Sequence, residues 1–295
     1  MLGTVTLDQL RVLVTIEETG SFSAAGRRLQ RAQSAISHAV QSLEALQGVQ
    51  LFDRSARAPI LTEAGRALVA QARQVLRQAE LFERTASAIA GGLEPELTFA
   101  VDSMVPIEPV IQALGALQRR FPDLAVTLFT EALGGAERRA RDGSAVLGLC
   151  MLFPPAAQEL QAYPITSIEL TPVVSPAHPL ASETRPMSRE VLAEHVQLVL
   201  TDPTNQAGPS YSVVSPRVWR FVDLSSRLDF LRAGFGWATM PRHLVERHLR
   251  NGDLLQLPIE DPSILPGALQ IYAVHQRNRP LGVGARSLLE DLQQS

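Results

Sequence analysis

The sequence predicts an α/β protein carried behind an all-helical N-terminal head. Three observations predict it. Between residues 7 and 43, apolar residues recur every three to four positions, the period of helices with one buried face. From Thr62 to Ala90 an Ala-, Gln- and Arg-rich run contains no Pro, and Gly only at Gly65. From Glu94 onward, short apolar runs alternate with helical patterns across short loops, which argues for a parallel sheet covered by helices.

In the head, Leu7, Leu10, Leu13, Val14 and Ile16 form one stripe, with Thr6 as N-cap and Thr19-Gly20 as the stop. Ser23 reads as the N-cap of a short second helix over Ala24–Leu29, in which Ala25 and Gly26 leave room for a close crossing. A third helix buries Ile36, Val40 and Leu43, with Ala39 between them. Its opposite face carries Gln33, Ser34, Ser37, His38, Gln41 and Ser42. Solvated helix faces usually carry Glu, Lys and Arg at i,i+4 spacing, yet no charge falls between Gln33 and Ser42. Neutral amides and hydroxyls can pair with base edges in a DNA major groove. A plain polar surface helix is the alternative at this point.

The neighbours favour DNA. Arg27, Arg28 and Arg31 cluster at the turn before the polar helix. Leu51-Phe52 anchors a short strand, and Arg54 and Arg57 flank a loop closed by Pro59 and Leu61, in the form of a wing. The parts make a winged helix-turn-helix. Gln33, Ser34, Ser37, His38 and Gln41 are its expected base-reading residues, with Arg31, Arg54 and Arg57 on phosphates, where contacts set register and sequence-independent affinity.

The run from Leu7 to Gly65 resembles the N-terminal domain of LysR-type transcriptional regulators. The resemblance rests on Ser21-Phe22-Ser23-Ala24-Ala25, Gln33 with Ser37, Leu43-Glu44, Gly48-Val49, Leu51-Phe52-Asp53-Arg54 and Leu61-Thr62-Glu63-Ala64-Gly65, in one order and tightly spaced. Two positions depart from the family: Ala32 stands where Ser is frequent and forfeits a capping oxygen, and Gln47 stands where Leu is frequent before Gly48. Losing the cap weakens the docking helix by ~1 kcal/mol.

Thr62 is the expected N-cap of a long helix that Gly91-Gly92 stop. Its stripe of Leu68, Val69, Ala72, Val75, Leu76, Ala79, Phe82 and Ile89 is too long to bury on a small head. Packing against the same helix of a second chain would cover it, and the resemblance implies the same dimerising linker. A homodimer or homotetramer would present its recognition helices to a dyad-symmetric operator in double-stranded DNA. The alternative is a helix lying on its own effector domain.

The C-terminal part is expected to hold strands at Leu97–Val101, Leu124–Phe129, Ala145–Leu152, Val196–Thr201 and Leu269–Val274. Helices are expected over Ile107–Arg120, Gly135–Asp142, Ser225–Ala233 and Val283–Leu292. Two α/β lobes joined by crossing strands, with Gly234-x-Gly236-x-x-x-x-Pro241, resemble the LysR effector domain, itself like a periplasmic binding protein. The expected domains are 1–61 (winged helix-turn-helix), 62–92 (linker helix) and 93–295, with lobe I at about 93–165 and 269–295 and lobe II at about 166–268.

Ligands of open α/β sheets bind beyond the carboxyl ends of strands. That rule selects Asp102, Ser103, Met104, Thr130, Glu131, Thr201 and Asp202, with Met104, Phe153 and Trp237 as an apolar wall. Asp102, Glu131 and Asp202 argue against a strongly anionic effector; each alone could be a helix cap or loop acid.

Composition bounds the rest. The net charge is −3, but the 10 Arg and 8 acids up to residue 92 make the head mildly basic, while 17 Arg and 22 acids follow. The chain has no lysine, so every cation is a guanidinium. The single cysteine, Cys150, excludes an internal disulfide and suits the cytoplasm. No apolar run reaches the ~20 residues of a membrane span. The six histidines show no metal spacing, Gly234-Phe235-Gly236 lacks the third glycine of a dinucleotide loop, and no catalytic constellation is visible. The expectation is a cytoplasmic bacterial regulator without cofactor, metal or enzymatic activity, responsive to an unidentified small molecule. The resemblance adds RNA polymerase as a partner. The rival reading is a two-lobed solute-binding protein or enzyme with an incidental helical head.

Overall fold

The computed structural model describes residues 5–53, 59–152, 159–202, 213–261 and 267–294. The chain divides into two compact units, Met1–Ala90 and Gly91–Ser295.

In the first unit, α1 (Leu7–Thr19) opens on a capping box. Gln9 N–H donates to Thr6 Oγ1 at 3.2 Å, and Thr6 N–H donates to Gln9 Oε1 at 3.0 Å. Gly20 ends it in the left-handed region. The second helix, α2 (Phe22–Arg28), starts earlier than Ser23 predicts. Ser21 is the cap, its Oγ accepting from Ala24 N–H at 3.1 Å, while Ser23 lies inside the first turn and accepts from Arg27 at 3.0 Å. Starting at Phe22 brings its ring against Phe52, 5.3 Å between centroids and edge-on.

The turn from α2 to α3 (Gln33–Gln47) is closed by Arg31 N–H donating to Gly26 O at 2.8 Å. A Cβ on Gly26 would stand 2.8 Å from the Arg31 carbonyl oxygen, so the turn needs glycine there. Ala32 caps α3 without any side-chain hydrogen bond. Ile36, Val40 and Leu43 meet Val12, Leu13 and Ile16 in one core.

Strands β1 (Phe52–Asp53) and β2 (Ile60–Leu61) pair antiparallel as a short ribbon. Glu44 holds the chain entering it, accepting from Leu51 N–H at 2.8 Å and Phe52 N–H at 3.3 Å. The long helix α4 (Glu63–Ala90) begins where Thr62 Oγ1 accepts from Gly65 N–H at 2.9 Å. A Cβ on Gly65 would lie 2.1 Å from the Leu51 carbonyl oxygen, too close for any side chain. Gly65→Ala is therefore expected to force α4 off the strand and destabilise the head by about 1–3 kcal/mol. Urea unfolding of residues 1–90 reads this directly, and an unchanged midpoint would show that the two elements can separate freely.

The second unit contains two five-stranded sheets. The first combines β3 (Glu96–Asp102), β4 (Ala125–Glu131), β5 (Leu147–Met151) and β6 (Leu160–Ile168) with the last strand of the chain. The other is built from β7 (Leu170–Val174), β8 (Gln197–Leu200), β9 (Val218–Phe221), β10 (Trp237–Pro241) and β11 (Leu255–Gln256). The chain then returns to the first sheet as β12 (Leu269–Gln276). Strand orders are β4-β3-β5-β12-β6 and β11-β7-β10-β8-β9. Helices α5 (Ile107–Arg120), α6 (Gly135–Asp142) and α10 (Val283–Gln293) belong to the first lobe; α7 (Arg189–Ala193), α8 (Leu224–Arg232) and α9 (Arg242–Asn251) belong to the second.

The sheets are mixed, not parallel as the alternation predicts. β3 runs parallel to β4 and β5, but β12 is antiparallel to β5 and β6, and β7 is antiparallel to β10 and β11. The cause is the double crossing between lobes. A strand arriving from the other lobe has no covering helix to turn it round, so it enters in the opposite sense. Both crossings meet where Leu269 pairs with Ile168.

Candidate nucleic-acid interface and ligand cleft

The uncharged face of α3 is open to solvent. Gln33, Ser34, His38 and Gln41 are exposed and Ser37 is half-buried. Ser42 turns away, accepting from Gln9 Nε2 at 3.3 Å and so tying α3 to α1. The cations at the turn are held in place by acids. Arg31 Nη1 lies 2.7 Å from Asp8 Oδ2, and Arg28 Nη1 lies 3.0 Å from Glu18 Oε2. The Arg31 hydrogen bond holds the Asp8 carboxyl below its ordinary range. Both pairs are solvated, so a phosphate oxygen can replace the carboxylate at little cost. Arg54 and Arg57 lie outside the described residues.

Along α4, Val69 and Ala72 are buried in the head's core, whereas Val75, Phe82 and Ile89 are 46%, 74% and 45% exposed. These belong to a wider pattern. Beyond the residues taken up by the head's own core, Val75, Ala79, Phe82, Ala86 and Ile89 recur at alternating steps of four and three, the spacing of a two-stranded coiled-coil seam.

In the second unit a cleft of about 640 Å³ lies between the lobes. The ends of β3 and β4 and the start of α5 bring Asp102, Ser103, Thr130, Ile107 and Glu108 to it. The starts of α8 and α9 bring Asp223, Leu224, Leu228, His243, Leu244 and Glu246. Asp102 is 1% exposed. Its Oδ1 accepts from Met104 N–H at 2.9 Å, while Oδ2 has no hydrogen-bond partner. Burial pushes this carboxyl up to about 6, against the backbone N–H groups of Met104 and Gly134, which pull it down. Ser103 Oγ and His243 Nε2 are likewise buried without partners. Burial pulls the His243 imidazole below its ordinary value, and the charge of Glu108 opposes that shift.

Of the residues predicted for this cleft, Asp102, Ser103 and Thr130 meet in it. The others go elsewhere. Met104 is 5% exposed and faces a separate cavity of about 50 Å³, shared with Leu133, Met151, Leu170 and Arg227. Thr201 is buried behind β8, its N–H donating to Phe221 O at 2.8 Å. Asp202 forms an ion pair with Arg138 of α6, joining the lobes. Glu131 pairs with Arg139. Trp237 is fully buried in the core of the second lobe among Val174, Leu180, Met187 and Leu192, its Nε1 donating to Leu192 O at 3.2 Å. It is a packing residue, because the first residue of β10 points to the face away from the cleft. Phe153 lies outside the described residues.

His243, Glu108, Asp223 and Glu246 were missed by the sequence reading. Two signals could have found them. Asp223 precedes Leu224 as an N-cap, with Ser226 N–H donating to Oδ2 at 2.6 Å, and His243 sits two residues after Pro241, where α9 starts beyond a strand.

Two further buried groups serve the fold. Arg227 donates to Leu198 O at 3.0 Å and to Thr239 O at 2.9 Å, clasping β8 to β10, and burial lowers it to about 10. Cys150 is buried in β5, and burial first, then the charges of Asp102 and Glu137, raise its thiol far from thiolate formation. Among the described residues no group of three or more His, Cys, Asp or Glu could hold a metal ion, and no helix is long and apolar enough to cross a membrane.

A winged helix-turn-helix with an open uncharged face, followed by a two-lobed α/β unit with a cleft, defines a ligand-binding transcriptional regulator. The chain belongs to the LysR family. The family model for the bacterial regulatory helix-turn-helix protein, lysR family, matches residues 7–66, and that for the LysR substrate binding domain matches residues 90–295. The uncharacterized regulator YeeY of Escherichia coli K12 is 30% identical over 254 residues, covering 85% of this chain and 82% of YeeY. YhaJ, a probable regulator of the same organism, is 31% identical over 268 residues, 88% of each chain. A solved structure of a Corynebacterium glutamicum OxyR mutant, 24% identical, superposes with a TM-score of 0.61 over 100% of this chain and 94% of its own, a likeness of fold. LysR regulators bind DNA, form oligomers and couple DNA binding to a ligand, so this chain is a transcriptional regulator and not an enzyme.

Proposed function

We propose that α3 enters the major groove with Gln33, Ser34, Ser37, His38 and Gln41 on base edges, while Arg31, Arg54 and Arg57 hold phosphates. The observation that carries this reading is the exposed, charge-free face of α3 beside a turn rich in Arg. Two chains join along the Val75–Ile89 seam of α4 and address a dyad-symmetric operator. A second pair of chains would make the tetramer. An effector in the cleft, touching Asp102, Ser103 and Thr130, favours one lobe arrangement, since a ligand shifts an equilibrium only by its differential affinity for the two states. The Arg138–Asp202 ion pair is a contact that such a rearrangement would break or keep. The protein works beside the bacterial chromosome in the cytoplasm and passes its signal to RNA polymerase.

Gel shifts on an operator and on unrelated DNA over a range of salt test the DNA part. Arg54→Ala is expected to weaken binding to both DNAs and flatten the salt slope by about one unit. Gln33→Ala is expected to cost about 1–3 kcal/mol on the operator alone. Equal losses on both DNAs for both variants would remove the base-reading role from α3.

A further inference from the structure

We propose that the interlobe cleft selects a ligand bearing a protonated nitrogen, an amine, amidine or guanidine, and seats that nitrogen on Oδ2 of Asp102. This rests on the reading of the cleft as the effector site. Three observations carry it. First, Asp102 is 1% exposed and Oδ2 has no partner, so the wall holds a hydrogen-bond acceptor that the protein itself leaves unanswered. The neutral N–H groups of Met104 and Gly134 offset the burial of this carboxylate only in part, and an N⁺–H donor is the group that offsets the rest best.

Second, the charged lining is acidic. Asp102, Glu108, Asp223 and Glu246 border the cleft, Glu246 lying 3.3 Å from Arg250, and among the described residues no Arg lines it. His243 is the basic group among those lining residues, and burial favours its neutral form. The buried guanidinium of Arg227 opens instead on the 50 Å³ cavity, too small for an organic anion, with donors already given to Leu198 and Thr239.

Third, acids of the chain stand at two of the three helix N-termini that reach the cleft. Their partial positive charge favours an anion. Asp223 caps α8 and Glu108 lies in the first turn of α5, whereas the first turn of α9 carries no acid, so an anionic group of the ligand would have α9 to turn to. Asp102 is itself the cap residue of no helix, and the neutral N–H groups of Met104 and Gly134 act on its carboxyl. Ser103 Oγ and His243 Nε2 remain for a polar group elsewhere on the ligand, and Leu224, Leu228 and Leu244 offer an apolar wall.

The test uses full-length protein at pH 7.5, with calorimetry and thermal shift. The probes are putrescine and agmatine, and the matched set tryptamine, tryptophol and indole-3-acetate. At least one amine is expected to bind, tenfold or more tighter than a matched alcohol or carboxylate. Asp102→Asn is expected to lower its affinity at least tenfold, with folding checked by circular dichroism. The double variant Glu108→Gln with Glu246→Gln, on exposed side chains, is expected to lower amine affinity severalfold and provides a second arm independent of the buried site.

The proposal is overturned if no amine binds, if indole-3-acetate binds as well as tryptamine, or if amine binding survives Asp102→Asn unchanged. The reading of the cleft fails separately. If tryptophol or indole-3-acetate binds and is lost in Ser103→Ala or His243→Gln, the cleft is the ligand site and only its charge preference is wrong. If no probe responds to any of these substitutions, both readings fall.

Discussion

Phe82→Asp is expected to turn an associated chain into monomers and to weaken operator binding at least a hundredfold, while leaving the head folded. Phe82 is 74% exposed, on a seam that continues through Val75 and Ile89. Covering a Phe side chain contributes ~2–3 kcal/mol per copy. A two-fold seam brings both copies together, so the substitution removes two such contributions and sets two carboxylates against apolar surface. Because this ring packs on nothing within its own unit's core, the melting of residues 1–90 should move by under ~0.5 kcal/mol. Sedimentation equilibrium and a gel shift on a dyad operator read the two halves of the result. Unchanged mass with unchanged affinity would place the contact between chains elsewhere than on α4.

Asp102→Asn is expected to make the ligand-free protein more stable at neutral pH. The unfolded carboxyl titrates near its ordinary 3.8, whereas burial holds the folded one near 6. Between these values the folded state keeps a proton that the unfolded state has lost. Stability of the parent therefore falls as pH rises from about 4 to about 6 and stays at the lower level above it. The difference amounts to ~3 kcal/mol at 1.36 kcal/mol per pH unit. An amide carries no such dependence, so the advantage of Asn should reach about that size at pH 7.5 and vanish toward pH 4. The groups facing Asp102 are Cys150 on β5, Glu108 on α5, Asp223 at the start of α8, and His243 and Glu246 on α9. Burial pulls the His243 imidazole below its ordinary value, so the comparison is made as a difference between two proteins at each pH. Chemical unfolding from pH 4.5 to 8 measures it. A variant less stable than its parent at pH 7.5 would mean that the carboxylate has a partner worth more than its desolvation costs.

Such a stability cost at a residue lining an open cleft has a functional sense. A side chain kept against the interest of the fold is placed to be answered by something else. The same residue then links the two measurements, since a substitution that steadies the empty protein should also abolish its response to the ligand.

Much of the head was legible in the sequence, because its signals act over one helical turn. The stripe of α1, the Thr6 cap and the Gly20 stop all lie within four residues of what they control. The bounds of α4 follow from Thr62 at one end and Gly91-Gly92 at the other. The solvent-facing side of α3 follows from which residues are apolar, since Ile36, Val40 and Leu43 can be buried only by turning Gln33, His38 and Gln41 outward. The exception in the head, Ser21 in place of Ser23, arose from a contact with Phe52, thirty residues away.

In the α/β unit the sequence by itself determined that strands and helices alternate and that β3 and β4 end in polar residues, Asp102 and Thr130 among them. Tertiary structure decided the rest. It set the direction of β7 and β12, moved Trp237 into a core, tied Asp202 to Arg138, and brought His243 and Asp223 across the cleft to face Asp102. The physical reason is range. A cap or a periodic stripe is a relation between neighbours in the chain. The face a strand presents, and the partner a buried oxygen lacks, are relations between segments tens to more than a hundred residues apart, which exist only once the chain has packed into its lobes.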